Sequence, residues 1–147
     1  MAKPFHFNLE RILDIRVQLE ERARMELGKA IAAANAQERA VVRLENEKTE
    51  REVAMSQKAI LTPAEMWLWQ AYRERLVDDI AKAKARLAEL IEVRERCRRT
   101  AVIRSKDRKL LDKLKTNKAK RHAIEQNLAE QKENDEMASV RYQPPVV

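Results

Sequence analysis

Residues able to perform acid–base, nucleophilic or metal chemistry are few in this chain and lie far apart. His6 and His122 are separated by most of the 147 residues, and Cys97 is the single cysteine. A nucleophilic cysteine needs a positioned base, and a phosphate-binding loop needs several glycines, whereas the chain has one. No cluster of Asp and Glu residues lies where the chain could form a pocket. The sequence predicts a protein that is not an enzyme, with no catalytic residue, metal site or cofactor.

A short aromatic segment contains residue types that protein interfaces favour. Trp67 and Trp69 lie about 200° apart around a helix, so at most one of them can face a helical seam. Trp69 is in register with Leu76, and Trp67 is therefore the outward residue, beside Tyr72 and Arg73. Exposed aromatic and arginine side chains are common in binding hot spots. This face either binds a partner or only covers the neighbouring turn.

Basic residues are concentrated in one stretch. Residues 94–121 contain thirteen Lys/Arg against three Asp/Glu, while the whole chain has a net charge of +7. The stretch could contact an acidic protein channel, bind nucleic acid phosphates, or simply solvate a long helix. It contains no aromatic residue for base stacking, which favours the protein partner over nucleic acid. The candidate contacts to that partner are Arg104, Arg108, Lys109, Lys113, Lys115 and Lys118.

Helical periodicity organises the chain around these residues. Apolar residues recur at steps of mostly three, four or seven from Leu9 to Met55. Asn8 is placed to cap this first helix, with Phe7 packing on Ile12 as a hydrophobic staple. We expect the first helix to cover about residues 8–58.

The clearest break in the chain is Thr62-Pro63-Ala64-Glu65. It is the pattern of a capping box with proline at the first helical position. The pattern predicts a turn at about 59–62 and a second helix over about 63–139, followed by a flexible tail at 140–147.

Two amphipathic helices joined by a short turn should fold back on each other and bury their apolar stripes. The predicted fold is all-α, a long antiparallel two-helix coiled-coil hairpin that forms one domain over residues 1–147. The second helix is longer by about 26 residues, and we expect this excess to be a basic extension that needs an external partner. Self-association through exposed seams is a further expectation.

Composition and the N-terminus bound the cellular location. Charged residues make up 37% and aromatics 4% of the chain, which leaves little bulk for a globular core. There is no run of 18 apolar residues and no hydrophobic stretch of a signal peptide near Met1. Together with the lone Cys97, these features predict a cytoplasmic protein in a reducing compartment.

Three segments, in this order and spacing, resemble the flagellar export protein FliJ family. They are residues 5–16 (FHFNLERILDIR), Leu61-Thr62-Pro63-Ala64-Glu65 with Tyr72, Leu76 and Ile80 after it, and residues 130–136 (EQKENDE) with Arg141-Tyr142. The resemblance covers almost the whole chain. At the inter-helix turn, where family members often have Gly or Ser, this chain has Ile60-Leu61-Thr62, which leaves the geometry of the turn open.

The resemblance implies a stalk and chaperone protein of the flagellar type III export apparatus. In the family, the end with both termini enters the hexameric export ATPase and promotes its assembly and activity, while the hairpin body engages the export gate at the inner membrane and contacts export chaperones. The candidate gate-binding residues are then Trp67, Trp69, Tyr72, Arg73 and Leu76, and the basic set faces the ATPase. The protein would work in the cytoplasm, peripheral to the inner membrane. The alternative is a basic coiled-coil scaffold or a nucleic-acid-binding hairpin.

Overall fold

The computed structural model describes residues 3–142 and 144–146, and it is all-helical over that part of the chain, with no strand. Helix α1 runs over Glu10–Ser56 and helix α2 over Pro63–Arg141. They contain 47 and 79 residues, so the second helix is the longer one. The two helices pack against each other, and the predicted all-α hairpin with unequal helices is confirmed.

The start of α1 differs from the prediction by two residues. The first α-helical hydrogen bond runs from the Leu13 amide to the Leu9 carbonyl, and a tighter turn joins the Glu10 amide to the Phe7 carbonyl at 3.1 Å. Leu9 thus takes the capping position that was predicted for Asn8. Phe7, one member of the predicted staple, is buried, whereas the other, Ile12, is 45% exposed. Phe7 packs with Leu13.

The predicted cap of α2 is confirmed at its central hydrogen bond. The Glu65 amide donates to Thr62 Oγ1 at 3.2 Å, and the Met66 amide donates to the Thr62 carbonyl at 3.0 Å. The Glu65 carboxylate lies 3.7 Å from Lys58 Nζ. Helix α1 already ends at Ser56, so six residues, 57–62, separate the two helices.

The C-terminal end of α2 extends past the predicted limit at residue 139. The Tyr142 amide still donates to the Ala138 carbonyl at 3.0 Å, because the first proline after the helix is Pro144. The predicted flexible tail therefore begins later, and Gln143 and Val147 of that tail lie outside the described residues.

The chain divides into two compact units, and both helices contribute to each. Unit 1 consists of the described residues of Met1–Glu20 and Arg104–Val147, and unit 2 is Glu21–Ile103. In unit 2 the buried residues are mostly small on α1 and larger on α2, as expected for a narrow seam. They are Ala23, Ala30, Ala34, Val41, Leu76 and Ile80.

The core of unit 1 is a small apolar cluster. Phe7, Leu13 and Leu111 are each at most 7% exposed and pack together, with Leu9 and Val17 against them. Polar contacts also join the two helices within unit 1. Glu10 accepts from Lys115 Nζ at 2.9 Å, and the Arg16 guanidinium donates to the Asp107 carbonyl at 2.9 Å.

The C-terminal extension of α2 does not have the expected charge. Phe5 contacts the ring of His122 with 5.7 Å between ring centroids. From residue 123 to 141 no described residue is buried, and only Gln126 is half-buried. This segment contains five Asp/Glu against two Lys/Arg, so the prediction of a basic extension is wrong. The basic residues 104–121 instead lie beside the start of the chain within unit 1.

Candidate partner-binding surfaces

Most of the predicted aromatic site in unit 2 is engaged in contacts between the two helices. The Tyr72 hydroxyl donates to the Glu47 carboxylate, and Arg51 lies over the Tyr72 ring at 5.8 Å from its centroid. Arg73 Nε lies 3.3 Å from the Glu52 carboxylate. These residues hold α1 and α2 together near the turn.

The Glu47 carboxylate also affects the ionisation of Tyr72. Its hydrogen bond with the phenol raises the pKa of Tyr72 above the ordinary value, and partial desolvation and the Glu47 charge act in the same direction. The charge of Arg51 lowers this pKa, but its effect is smaller. The phenol therefore remains a hydrogen-bond donor throughout the neutral pH range.

The other three predicted residues of this site divide by exposure. Leu76 is 4% exposed and belongs to the seam. Trp69 is half-buried and its ring lies 6.3 Å from that of Tyr72, whereas Trp67 is 67% exposed. The expected orientation, with Trp69 towards the seam and Trp67 outward, agrees with these exposures.

The structure adds apolar neighbours to Trp67 that sequence reasoning did not single out. Ile60, Met66 and Leu68 are 85%, 47% and 61% exposed. Met66, Trp67 and Leu68 follow one another on α2, and Ile60 lies in the turn before it; we call these four exposed residues the turn patch. Exposed large apolar side chains this close in the chain are candidates for an interaction surface. A sequence signal existed, because Met66-Trp67-Leu68 is a run of three apolar residues that a two-helix seam cannot bury at once.

The six predicted basic residues in unit 1 divide into three groups. Arg108 pairs with Glu20 and with Asp112, Lys115 pairs with Glu10, and Lys118 Nζ lies 5.9 Å from the centroid of the Phe7 ring. Arg104 is half-buried in a groove against α1. Lys109 and Lys113 are exposed and take no part in the ion pairs of the described residues. Only these two of the six are exposed.

The pair of Arg108 and Glu20 is the most buried charged contact that the structure describes. The Glu20 side chain is 4% exposed and that of Arg108 is 24% exposed. The hydrogen bond to Glu20, followed by the one to Asp112, raises the pKa of the Arg108 guanidinium further above its already high value. Arg108 is therefore a structural cation that joins the helices of unit 1.

Three further features of the described residues concern metal ligands, the thiol and helix hydropathy. Among residues 3–142 and 144–146, no group of three or more His, Cys, Asp or Glu side chains is arranged to hold a metal ion. Cys97 is a free, half-buried thiol. Neither helix of the described chain contains a segment apolar enough, over sufficient length, to cross a bilayer.

Comparison with protein families matches residues 5–145 to the family described as Flagellar FliJ protein. No curated protein and no solved structure matches the chain. The family match covers nearly the whole sequence, including the turn patch and the basic stretch.

Proposed function

Because the chain belongs to the flagellar FliJ family, which gives it a role in flagellar protein export, we propose that it is a non-enzymatic stalk of the export apparatus. In this proposal it binds the hexameric export ATPase, promotes its assembly and activity, and couples it to the export gate. It works in the cytoplasm at the inner face of the membrane, with export chaperones as further partners.

The exposed positive charge of unit 1 is the observation that supports ATPase binding. Residues 104–121 carry nine Lys/Arg against two Asp/Glu. Arg108, Lys115 and Lys118 are committed to contacts inside the chain, so the charge available to a partner resides mainly in residues such as Lys109 and Lys113. Charges at a rim speed association and select the partner more than they add affinity.

The test is charge reversal at the two exposed lysines. We expect Lys109→Glu/Lys113→Glu to reduce stimulation of the cognate ATPase about tenfold at low salt, because two attractive charges become repulsive. Both side chains are exposed, so helicity measured by circular dichroism should not change. Reversal of Arg108 or Lys115 would be less informative, since it would also break contacts that fold unit 1.

A matched variant in unit 2 controls for net charge. Lys29→Glu/Lys82→Glu changes the charge of the chain by the same amount at side chains that are 71% and 75% exposed. It should leave ATPase stimulation unchanged. Equal loss in the two variants, or full stimulation by the Lys109/Lys113 variant, would remove this surface from the proposal.

The turn patch is the surface we propose for the export gate. A tryptophan that is 67% exposed has a large apolar area that a partner can bury. We expect Trp67→Ala to weaken binding of the full chain to the cytoplasmic part of the gate protein about tenfold, as measured by calorimetry.

Two controls separate gate binding from folding. Val42→Ala shortens an apolar side chain that is 47% exposed elsewhere in unit 2, and it should not affect gate affinity. Leu76→Ala is expected to lower the melting temperature, because Leu76 is a buried seam residue. Unchanged gate affinity in Trp67→Ala would contradict the proposal.

A further inference from the structure

Helix α2 carries a second apolar edge in unit 1, outside the seam. Leu110 is 65% exposed and Leu114 is 37% exposed, while Leu111 between them is buried. Consecutive helix residues are about 100° apart, so Leu110 lies well around the helix from the face that packs on α1. Leu110 and Leu114 are four residues apart and share one face of α2.

Helix α1 provides a matching edge on the same side of unit 1. Ile12 and Ile15 are 45% and 48% exposed, and with Leu19 they line a groove whose other wall includes Asp107. Leu110 and Leu114 follow Asp107 by three and seven residues and therefore extend that wall. We call this feature the unit 1 groove. Its apolar edges are Ile12, Ile15, Leu19, Leu110 and Leu114, and its polar lining is Arg16, Arg104 and Asp107.

The spacing of the two edges fits a third helix. Ile12, Ile15 and Leu19 are separated by three and four residues, and Leu110 and Leu114 by four. These are the steps of a coiled-coil seam, where side chains of an incoming helix insert between those of the receiving helices. The exposed apolar surface is on the order of a few hundred Å², the size of patch that is often functional in small proteins.

Charge around the unit 1 groove selects the chemistry of that helix. Arg16 and Arg104 line the groove itself, and Lys109 and Lys113 are exposed next to its two leucines. Among the residues that line the groove, Asp107 is the acidic one. A helix with acidic flanks would meet favourable charges on entering, whereas basic flanks would be repelled.

We infer that the unit 1 groove binds an amphipathic helix of another protein, with an apolar face of leucine-like residues and flanks of Glu or Asp. The acidic segment 123–141 of a second copy fits less well. Its apolar residues Ile124 and Leu128 are followed on the same face by Gln131 and Asp135, so the apolar face spans barely one turn. This inference does not require the partner to be the ATPase or the gate.

A designed peptide tests the surface directly on the full chain. The probe is a labelled three-heptad peptide with Leu at the seam positions and Glu at the flanking positions, which repels itself and stays unpaired at neutral pH. We expect it to bind the chain and to gain helicity. The same peptide with Lys flanks should bind at least about tenfold more weakly.

Substitution of the two leucines separates groove binding from simple charge attraction. Leu110→Gln/Leu114→Gln retains every charge and should weaken binding of the Glu peptide about tenfold. Met25→Gln, at a side chain that is 64% exposed in unit 2, should have no effect. Circular dichroism should show equal helicity for the three proteins, because the substituted side chains are exposed.

Three results would overturn the inference. The first is equal affinity for the Glu and Lys peptides, and the second is an affinity that Leu110→Gln/Leu114→Gln does not alter. The third is sedimentation of the chain alone as a dimer that this variant dissociates, which would assign the groove to a second copy. The assay contains no ATPase or gate protein, so its outcome is independent of the proposed function.

Discussion

Replacing Leu111 with Ala is expected to lower the free energy of unfolding of unit 1 by about 2–3 kcal/mol. Leu111 is 7% exposed and packs with Phe7 and Leu13 in the apolar cluster of this unit. The cluster is small, so few neighbouring apolar side chains can fill the space that the removed Leu111 side chain leaves. Urea unfolding followed by circular dichroism measures the change.

The adjacent residue provides the control. Leu110→Ala makes the same chemical change one position away, at a side chain that is 65% exposed, and should alter the free energy of unfolding by no more than about 0.5 kcal/mol. Both variants are compared at low protein concentration, where no partner occupies the groove. Equal destabilisation by the two substitutions would contradict the assignment of Leu111 to the buried seam of unit 1 and of Leu110 to its surface.

The Arg108 variant should have the second large effect. We expect Arg108→Ala to lower the melting temperature by about 5 °C, because a carboxylate that is 4% exposed loses its ion pair with the Arg108 guanidinium. Arg108 also bonds to Asp112, which is 45% exposed and regains water when the guanidinium is removed. Thermal unfolding at neutral pH measures the shift.

Replacing both members of the pair should reverse that loss. Glu20→Leu/Arg108→Leu converts a buried ion pair into an apolar layer of the seam, and such replacements are often neutral or stabilising. We expect the double variant to melt at or above the temperature of the native chain. If it melts as low as Arg108→Ala, the contact between Arg108 and Glu20 stabilises unit 1 by more than an apolar layer in its place does.

The fold was predictable because one periodicity runs through each helix. Leu13, Glu20, Ala34 and Val41 are separated by multiples of seven residues, and all four are buried. One glycine and a single strong capping signal at Thr62 leave few places where the chain could turn. These features specify two helices and their inward faces without any knowledge of neighbours.

The surfaces were less predictable, because they depend on which residues of one helix lie opposite which residues of the other. Tyr72 and Arg108 have residue types common at interfaces, yet each meets a carboxylate of α1. A carboxylate at Glu20, in an otherwise apolar heptad position, was a usable signal that α2 would place a cation there. The nonhelical start of the chain also reaches His122, which shortens the uncovered part of α2 and leaves it acidic.

Two polar contacts of the seam have an evolutionary consequence. The Gln37 amide donates to the main-chain oxygen of Ala83 at 3.0 Å, and Arg16 makes the equivalent contact with Asp107. Every residue type has a carbonyl, so positions 83 and 107 can drift in sequence without losing these bonds. A slip of one helix along the other would instead break both bonds. Of the four residues in these two contacts, only the donors Gln37 and Arg16 must therefore be retained in type.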